Sequence, residues 1–473
     1  VESCVLRKRG RKMREREVIY LGAARCFTGE GSGMVGMHPL FKLVKFSPKG
    51  YKYVMPDTLE EEKMRISMKN AMGEALDEEE EIAQEIMEFR RKKLEIEMGK
   101  FVTYCEANGI SKEFYERYFR IINLGRRGMQ IPVKEDTLSL VPSFLYCLQK
   151  TPWVIEIEDV VTLFFPFIQN GKQPDGEKIR NTEAYKFAEY MLKKEECLGV
   201  IAHVRSTVDI YKALFPNQEI AGKIHYIPMC CEEVPPKEVC HTYQKSFQGK
   251  IRLFFSSSWA EPNFIVRGGI DILVAFGKLC GKYDNLELVL KCIVPNELPE
   301  KCQKILRKYQ EKIHIIEEKL PDSDMAELMS HMDIFLIPSA RIHVISILRA
   351  MASGLPVVAS DGWGIREYVQ DGKNGSIVEG RWGKTSWIDG AGMLQEDYLI
   401  MEEIDEVYAG RLADKIEQLI LDEGYRFKIT KQAMEDIQTR FSVENWNNEI
   451  GKVFEECYKV LEGKGQVIKD SRK

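Results

Sequence analysis

The chain has no apolar run of about 18–20 residues, the length a membrane-crossing helix needs, so no transmembrane span is expected. No apolar segment opens it, and a cytoplasmic protein is the expectation. Twelve cysteines are present, but none stands in a CxxC pair, and His-x-Glu-x-x-His is missing. Reduced thiols and no bound metal are therefore expected. A P-loop and a strict G-x-G-x-x-G are also missing, as is a recognisable Ser-His-Asp set. An excess of one charge is missing too: 68 basic residues face 73 acidic ones, a net −5, and no nucleic-acid partner is called for.

What is present is length and alternation. A chain of 473 residues is too long for one core, and 44% hydrophobic with 30% charged residues is ordinary for a globular protein. Short apolar strands alternate with amphipathic helices, which predicts an α/β class of parallel sheets. Strands are read near Val18–Leu21, Leu138–Val141, Trp153–Ile157, Gly199–His203, Lys223–Pro228, Ile251–Phe255, Leu286–Ile293 and Ile313–Ile316. Residues 1–17 form a basic tail whose RKRGRKMRER run suits either a solvated segment or anionic lipid head groups. Residues 18–240 form a first domain with a charged helical insertion over about 58–122. The polar, proline-bearing stretch 232–249 makes the linker. A second domain covers 241–440, followed over 441–473 by a last helix, Val443–Leu461, and a tail expected to be disordered.

The most informative stretch is Met332–Gly364, MDIFLIPSARIHVISILRAMASGLPVVASDGWG. It reads as strand, loop, helix, strand and turn. Ser346 is placed as the helix N-cap, Gly354 as its left-handed end, and Pro356 just beyond. Ligands of parallel sheets bind at the carboxyl ends of the strands. The amides of Val344, Ile345 and Ser346, where the helix opens, would suit a phosphate. Arg349 is placed in the first helical turn, where a cation opposes the dipole and implies a nearby anion. Asp322-Ser323-Asp324 reads as a helix start rather than a metal motif.

The pieces IPSA, LRAMASGLPVVAS and DGWGIREYV resemble the donor-site signature of retaining family-4 glycosyltransferases with the GT-B fold. The resemblance runs over roughly residues 136–460 and is strongest over 330–380. It implies two Rossmann-like doubly wound domains facing each other across a cleft. It implies a nucleotide diphosphate-sugar donor, a UDP- or GDP-sugar, with no further cofactor. The family's E-x7-E acids are here Arg341 and Arg349. Arg267 is placed to stand in for a diphosphate-binding lysine, and Lys291 lies near where the base is held. Glu158-Asp159 ends a strand where relatives carry His-Asp, so Asp159 keeps the acid that faces the sugar. Asp159, Arg341 and His343 are the candidate catalytic residues. The Gly-rich loop TGEGSGMVGM, with Gly31, Gly33 and the following His38, resembles the acceptor-domain loop. Glu367 belongs to a GIRE turn that relatives share.

The function this implies is metal-independent sugar transfer, with retention, from a nucleotide sugar to a hydroxyl acceptor. The acceptor would be a glycan, a lipid-linked glycan or another hydroxyl compound, with peripheral membrane contact through the basic tail. The alternative is a catalytically altered GT-B-like protein that binds a nucleotide or a glycan.

Overall fold

Short runs of β-branched and aromatic residues set the framework. In a computed structural model that describes residues 15–20, 43, 45–54, 65–118, 137–142, 152–164, 179–233, 247, 249–257, 262–381 and 401–470, these runs build two sheets. The first sheet holds β1 (Arg16–Tyr20), β2 (Tyr51–Val54), β3 (Leu138–Pro142), β4 (Trp153–Ile157), β5 (Cys197–Ala202) and β6 (Ile224–Tyr226), in the order β2-β1-β3-β4-β5-β6. The second holds β7 (Ile251–Ser256), β8 (Leu286–Lys291), β9 (Ile313–Ile315), β10 (Ile334–Ile337), β11 (Val357–Ser360) and β12 (Ser376–Val378), in the order β12-β11-β10-β7-β8-β9. Every strand pairing is parallel. β4, β8, β10 and β11 are buried at every residue, as strands covered by helices on both faces must be. The expected class, two Rossmann-like α/β lobes, is what the chain adopts.

The helices fall between the strands. α1 (Glu78–Ala107) opens on a capping box in which Asp77 and Glu80 satisfy each other's backbone amides. Its C-terminal end brings Phe101 against Phe187 of α2 (Glu183–Lys193), with ring centroids 5.3 Å apart. α3 (Arg205–Leu214) follows β5. In the second lobe come α4 (Gly269–Leu279), α5 (Glu300–Lys308), α6 (Asp322–Ser330), α7 (Val344–Ala352), α8 (Glu406–Leu421) and α9 (Glu423–Gln438).

The last helix, α10 (Val443–Asp470), returns to the first sheet. Tyr458 Oη donates to Glu17 O at 2.7 Å and accepts from Leu138 N at 3.4 Å, joining the helix to β1 and β3. Phe454 packs edge-on to Tyr51, and Glu455 pairs with Arg16 at 3.2 Å. Two expectations are corrected here. Arg16 and Glu17 belong to β1 rather than to a tail, because α10 offers Arg16 carboxylate partners. The helix also runs to Asp470, so residues 462–470 are helical where a disordered tail was expected. Residues 1–14 lie outside the described residues.

The lobes touch through backbone groups as well as side chains. Val204, at the N-cap of α3, has no side chain able to cap. Glu367 of the second lobe does so instead, accepting from the amides of Arg205 and Ser206 (3.1 Å for Ser206) and from Ser206 Oγ at 3.0 Å. Next to it, Tyr368 Oη donates to His203 O at 2.7 Å and accepts from Met229 N at 2.8 Å.

His203 is the buried ionisable group of this junction. Its Nδ1 donates to Ile227 O at 3.0 Å and its Nε2 faces the Glu156 carboxylate. Burial works to lower its pKa, but the charge and hydrogen bond of Glu156, with the Ile227 carbonyl, raise it above 6.5. A raised histidine stabilises fully below its ordinary value and loses that contribution as pH climbs through the folded value. Melting midpoints should therefore fall as pH rises above 6.5 in the parent, and His203→Gln should lack that fall. Thermal melts across the pH range read the difference.

Candidate functional site

The strand order of the second sheet reverses direction at the β7–β10 pair, the place where doubly wound sheets open a crevice. The loops that follow these two strands approach closely. Gly268 has φ +86, and a Cβ there would lie 2.5 Å from Pro338 O. Ala340 N donates to Val266 O at 3.0 Å. The post-β10 loop is fastened to the post-β11 turn as well. Ile342 N donates to Trp363 O at 2.8 Å, Trp363 N donates to Ala340 O at 3.0 Å, and Ser360 Oγ donates to Ser339 O. A Cβ on Gly362 would meet Ser339 O at 2.4 Å, so this turn needs glycine.

That fastening decides where α7 begins. The chain stays extended through Ile342 and turns at His343, so the helix starts at Val344 and Ser346 lies inside its first turn. The expected Ser346 cap is corrected: His343 is the cap residue and makes no side-chain cap bond. The amides of Val344, Ile345 and Ser346 precede the first i→i−4 bond, which Ile347 N makes to His343 O at 3.3 Å. They open onto a cavity of about 540 Å³ between the lobes. Arg267, His343 and Arg349 line it from the second lobe, Glu158 from the first, and Cys230 and Glu233 from the segment joining them.

The electrostatics of the inner end favour an anion. The Arg267 guanidinium is lowered to about 10 by burial and by the nearby Arg341, and so stays charged at neutral pH. Its Nη1 donates to Ser256 O at 3.4 Å. Burial, then Arg267 and Arg341, hold His343 well below its ordinary value, so its ring is neutral. His343 Nε2 is fully buried and has no hydrogen-bond partner among the described residues. Burial raises Glu158, against the pull of Arg341. A helix opening, a buried guanidinium and an unpartnered imidazole nitrogen are groups whose chemistry suits a phosphate-bearing ligand.

Of the candidate residues, Arg267, His343, Val344, Ile345, Ser346 and Arg349 share this cavity. Asp159, Arg341 and Lys291 stand outside its wall. Arg341 Nη1 pairs with Asp159 Oδ2 at 3.1 Å across the lobes, both largely buried. Lys291 ends β8 at 7% exposure, and burial lowers its ammonium pKa. Gly31, Gly33 and His38 lie outside the described residues. The placement of Arg349 is corrected. Because α7 starts early and ends at Ala352, Arg349 lies in its last turn, where a cation suits the dipole. It is held by Asp322 (2.8 Å) and Glu233 (3.3 Å), so the anion its position implied is a pair of carboxylates.

Sequence reasoning did not single out Asp322 and Glu233 as cavity residues, and of the pair Glu158-Asp159 it is Glu158 that lines the cavity. One signal was available for the first two. Arg349 has Ile345, Ser346, Ala352 and Ser353 at its helical neighbour positions, none an acid, so its partners had to come from elsewhere in the fold.

Residues 264–397 match the sequence model of the family described as glycosyl transferases group 1. This part of the chain is similar to a group 1 glycosyl transferase domain. It contains β8–β12, α4–α7, Arg267 and the whole α7 opening. No curated protein matches the chain. Solved structures similar to it include an α,α-trehalose-phosphate synthase (UDP-forming) from Burkholderia vietnamiensis, 11% identical over 73% of this chain and 80% of that one, TM-score 0.48. A sucrose-phosphate synthase from Thermosynechococcus elongatus is 14% identical over 68% and 74%, TM-score 0.47. HepE from Anabaena, in complex with UDP, is 15% identical over 65% and 72%, TM-score 0.45.

The buried pair beside this cavity gives a stability prediction. Arg341→Ala removes an ion-pair partner of the buried Asp159 carboxylate and should cost about 3–5 kcal/mol, as removing one member of a buried pair does. Arg341→Met combined with Asp159→Asn should cost clearly less than the single change. Denaturant titrations of the three proteins check this.

Proposed function

We propose that the interlobe cavity binds a nucleotide diphosphate sugar and transfers its sugar to a hydroxyl acceptor. The observation that carries this reading is the α7 opening at the switch point of the group 1 domain, with Arg267 and the unpartnered His343 Nε2 beside it in one cavity. The diphosphate would lie against the amides of Val344, Ile345 and Ser346, with Arg267 as its cation. Positive charge fixed there stabilises the leaving group as the bond between the anomeric carbon and phosphate oxygen breaks. We take these groups to serve in place of a metal ion.

The sugar then faces the first lobe, where Glu158 enters the cavity wall. A carboxyl at this place can hydrogen-bond sugar hydroxyls, which suits orientation of the ring. The bond that forms joins the acceptor oxygen to the anomeric carbon, and the acceptor's proton passes to the departing phosphate oxygen. This transfer on the leaving-group face retains the anomeric configuration. Arg341 and Asp159 hold the lobes at this rim rather than touching the sugar. No helix among the described residues is long and apolar enough to cross a membrane. The basic run at 7–16 would bring the cleft to an anionic surface if the acceptor is lipid-linked.

UDP- and GDP-sugars should raise the melting temperature, and one of them should be slowly hydrolysed without acceptor. Arg267→Gln should weaken that nucleotide sugar about tenfold or more, the worth of a hydrogen bond to a charged group. Hydrolysis with anomeric analysis of the product reads both activity and stereochemistry. A panel giving neither a shift nor hydrolysis would refute the transfer reading.

A further inference from the structure

At the α7 opening a neutral ring sits among cations. His343 is the residue where the chain turns into the helix, and its side chain caps nothing. The ring belongs to the cavity wall, beside Arg267 and the first turn of α7. Its Nε2 is buried and has no hydrogen-bond partner among the described residues. A buried nitrogen kept without a partner is costly and calls for a reason.

The charged and titratable groups around this ring come from several elements. Arg267 stands ahead of α4, and Arg341 stands on the loop that carries His343, paired with Asp159 of the first lobe at 3.1 Å. Glu158, at the end of β4, and Arg349, further along α7, share the cavity wall. Arg349 is tied to Asp322 and Glu233. Lys319, ahead of α6, and Cys230, on the interlobe segment, complete it. Burial pushes the Cys230 thiol up to about 12, so it stays neutral, and the arginines stay charged. Burial, Arg267 and Arg341 together keep the His343 ring uncharged.

A diphosphate against the α7 amides reverses that balance. Its negative charge favours the protonated imidazole, and does so strongly where water is excluded. We propose that His343 is neutral in the free protein and takes up a proton from solvent when a diphosphate binds, its imidazolium then joining Arg267 as a cation of the complex. The proton goes onto the ring nitrogen that carries the lone pair, and no bond of the ligand changes. The site thus avoids a further positive charge before binding and gains one after it. This rests on the nucleotide reading of the cavity. The free imidazole lies well below 6.5, and ligand raises it. Between the free and bound values each binding event takes up a proton, so affinity rises as pH falls, by up to about tenfold per pH unit.

The test is calorimetric titration of the full chain with UDP-glucose, UDP-N-acetylglucosamine, GDP-glucose and GDP-mannose. Two buffers of different ionisation heat, at one neutral pH, count the protons bound with the ligand. A diphosphate esterified at both ends has no proton that titrates near neutrality, so the count belongs to the protein. The parent should take up about half a proton or more, and bind about threefold or more tightly for each unit of pH lowered from about 8 to about 6. His343→Gln and His343→Phe should take up none and show a flat pH profile. Glu158 is the rival proton site, its carboxyl being raised by burial, and Glu158→Gln should weaken binding yet keep the uptake. Melting midpoints without ligand check that the variants fold. Binding by the parent without uptake, uptake that survives in the His343 variants, or uptake lost in Glu158→Gln would overturn the proposal alone. Failure of all four nucleotide sugars to bind would overturn the nucleotide reading with it.

Discussion

The close approach of three loops at the carboxyl edge of the second sheet is the constraint on which the rest depends. Gly268 admits the Pro338 carbonyl, Gly362 admits the Ser339 carbonyl, and Trp363 exchanges hydrogen bonds with Ala340 and Ile342. No side chain beyond glycine fits at either contact, so the loop between β10 and α7 has one path. That path ends at His343, which makes α7 begin where its amides face the cavity and puts His343 in the wall. The chemistry of the site follows from backbone packing before any charged side chain is considered.

Charge in the cleft is arranged in layers. Arg341 and Arg349 are each tied to carboxylates, Arg341 to Asp159 across the lobes and Arg349 to Asp322 and Glu233. Arg267 lines the same cavity as the helix opening and donates to the Ser256 carbonyl. A side chain's charge alone is a poor guide to what it holds when its neighbours in space are distant in sequence.

The framework was legible because parallel strands covered on both faces must be apolar throughout. β4, β7 and β10 could be read within a residue or so of their ends. The turn glycines at 354 and 364 and the return of α10 to the first lobe could be read as well. What failed depended on contacts that span the chain. Arg16 looked like part of a basic tail because its partners, Glu455 and Glu462, lie more than 400 residues away. Arg349 was placed a turn too early in its helix because the bonds that start α7 at Val344 come from Trp363. Five of the six candidate residues that share the cavity lie near a strand end or helix start, whereas Arg349 lies in the last turn of α7. Asp322 opens α6 and could be read only as a helix start, and Glu233 carries no local mark.

Glu367 has a wider consequence. The dipole end of α3 is satisfied by a carboxylate that belongs to the opposite lobe, and Tyr368 bridges backbone atoms beside it. Neither half therefore has a complete set of hydrogen bonds by itself. Severed from the second lobe, the first would expose bare amides at Arg205 and Ser206 together with the stranded Met229 amide and His203 carbonyl. The two lobes are cooperative partners in folding, and the surface between them is as much an interior as either core.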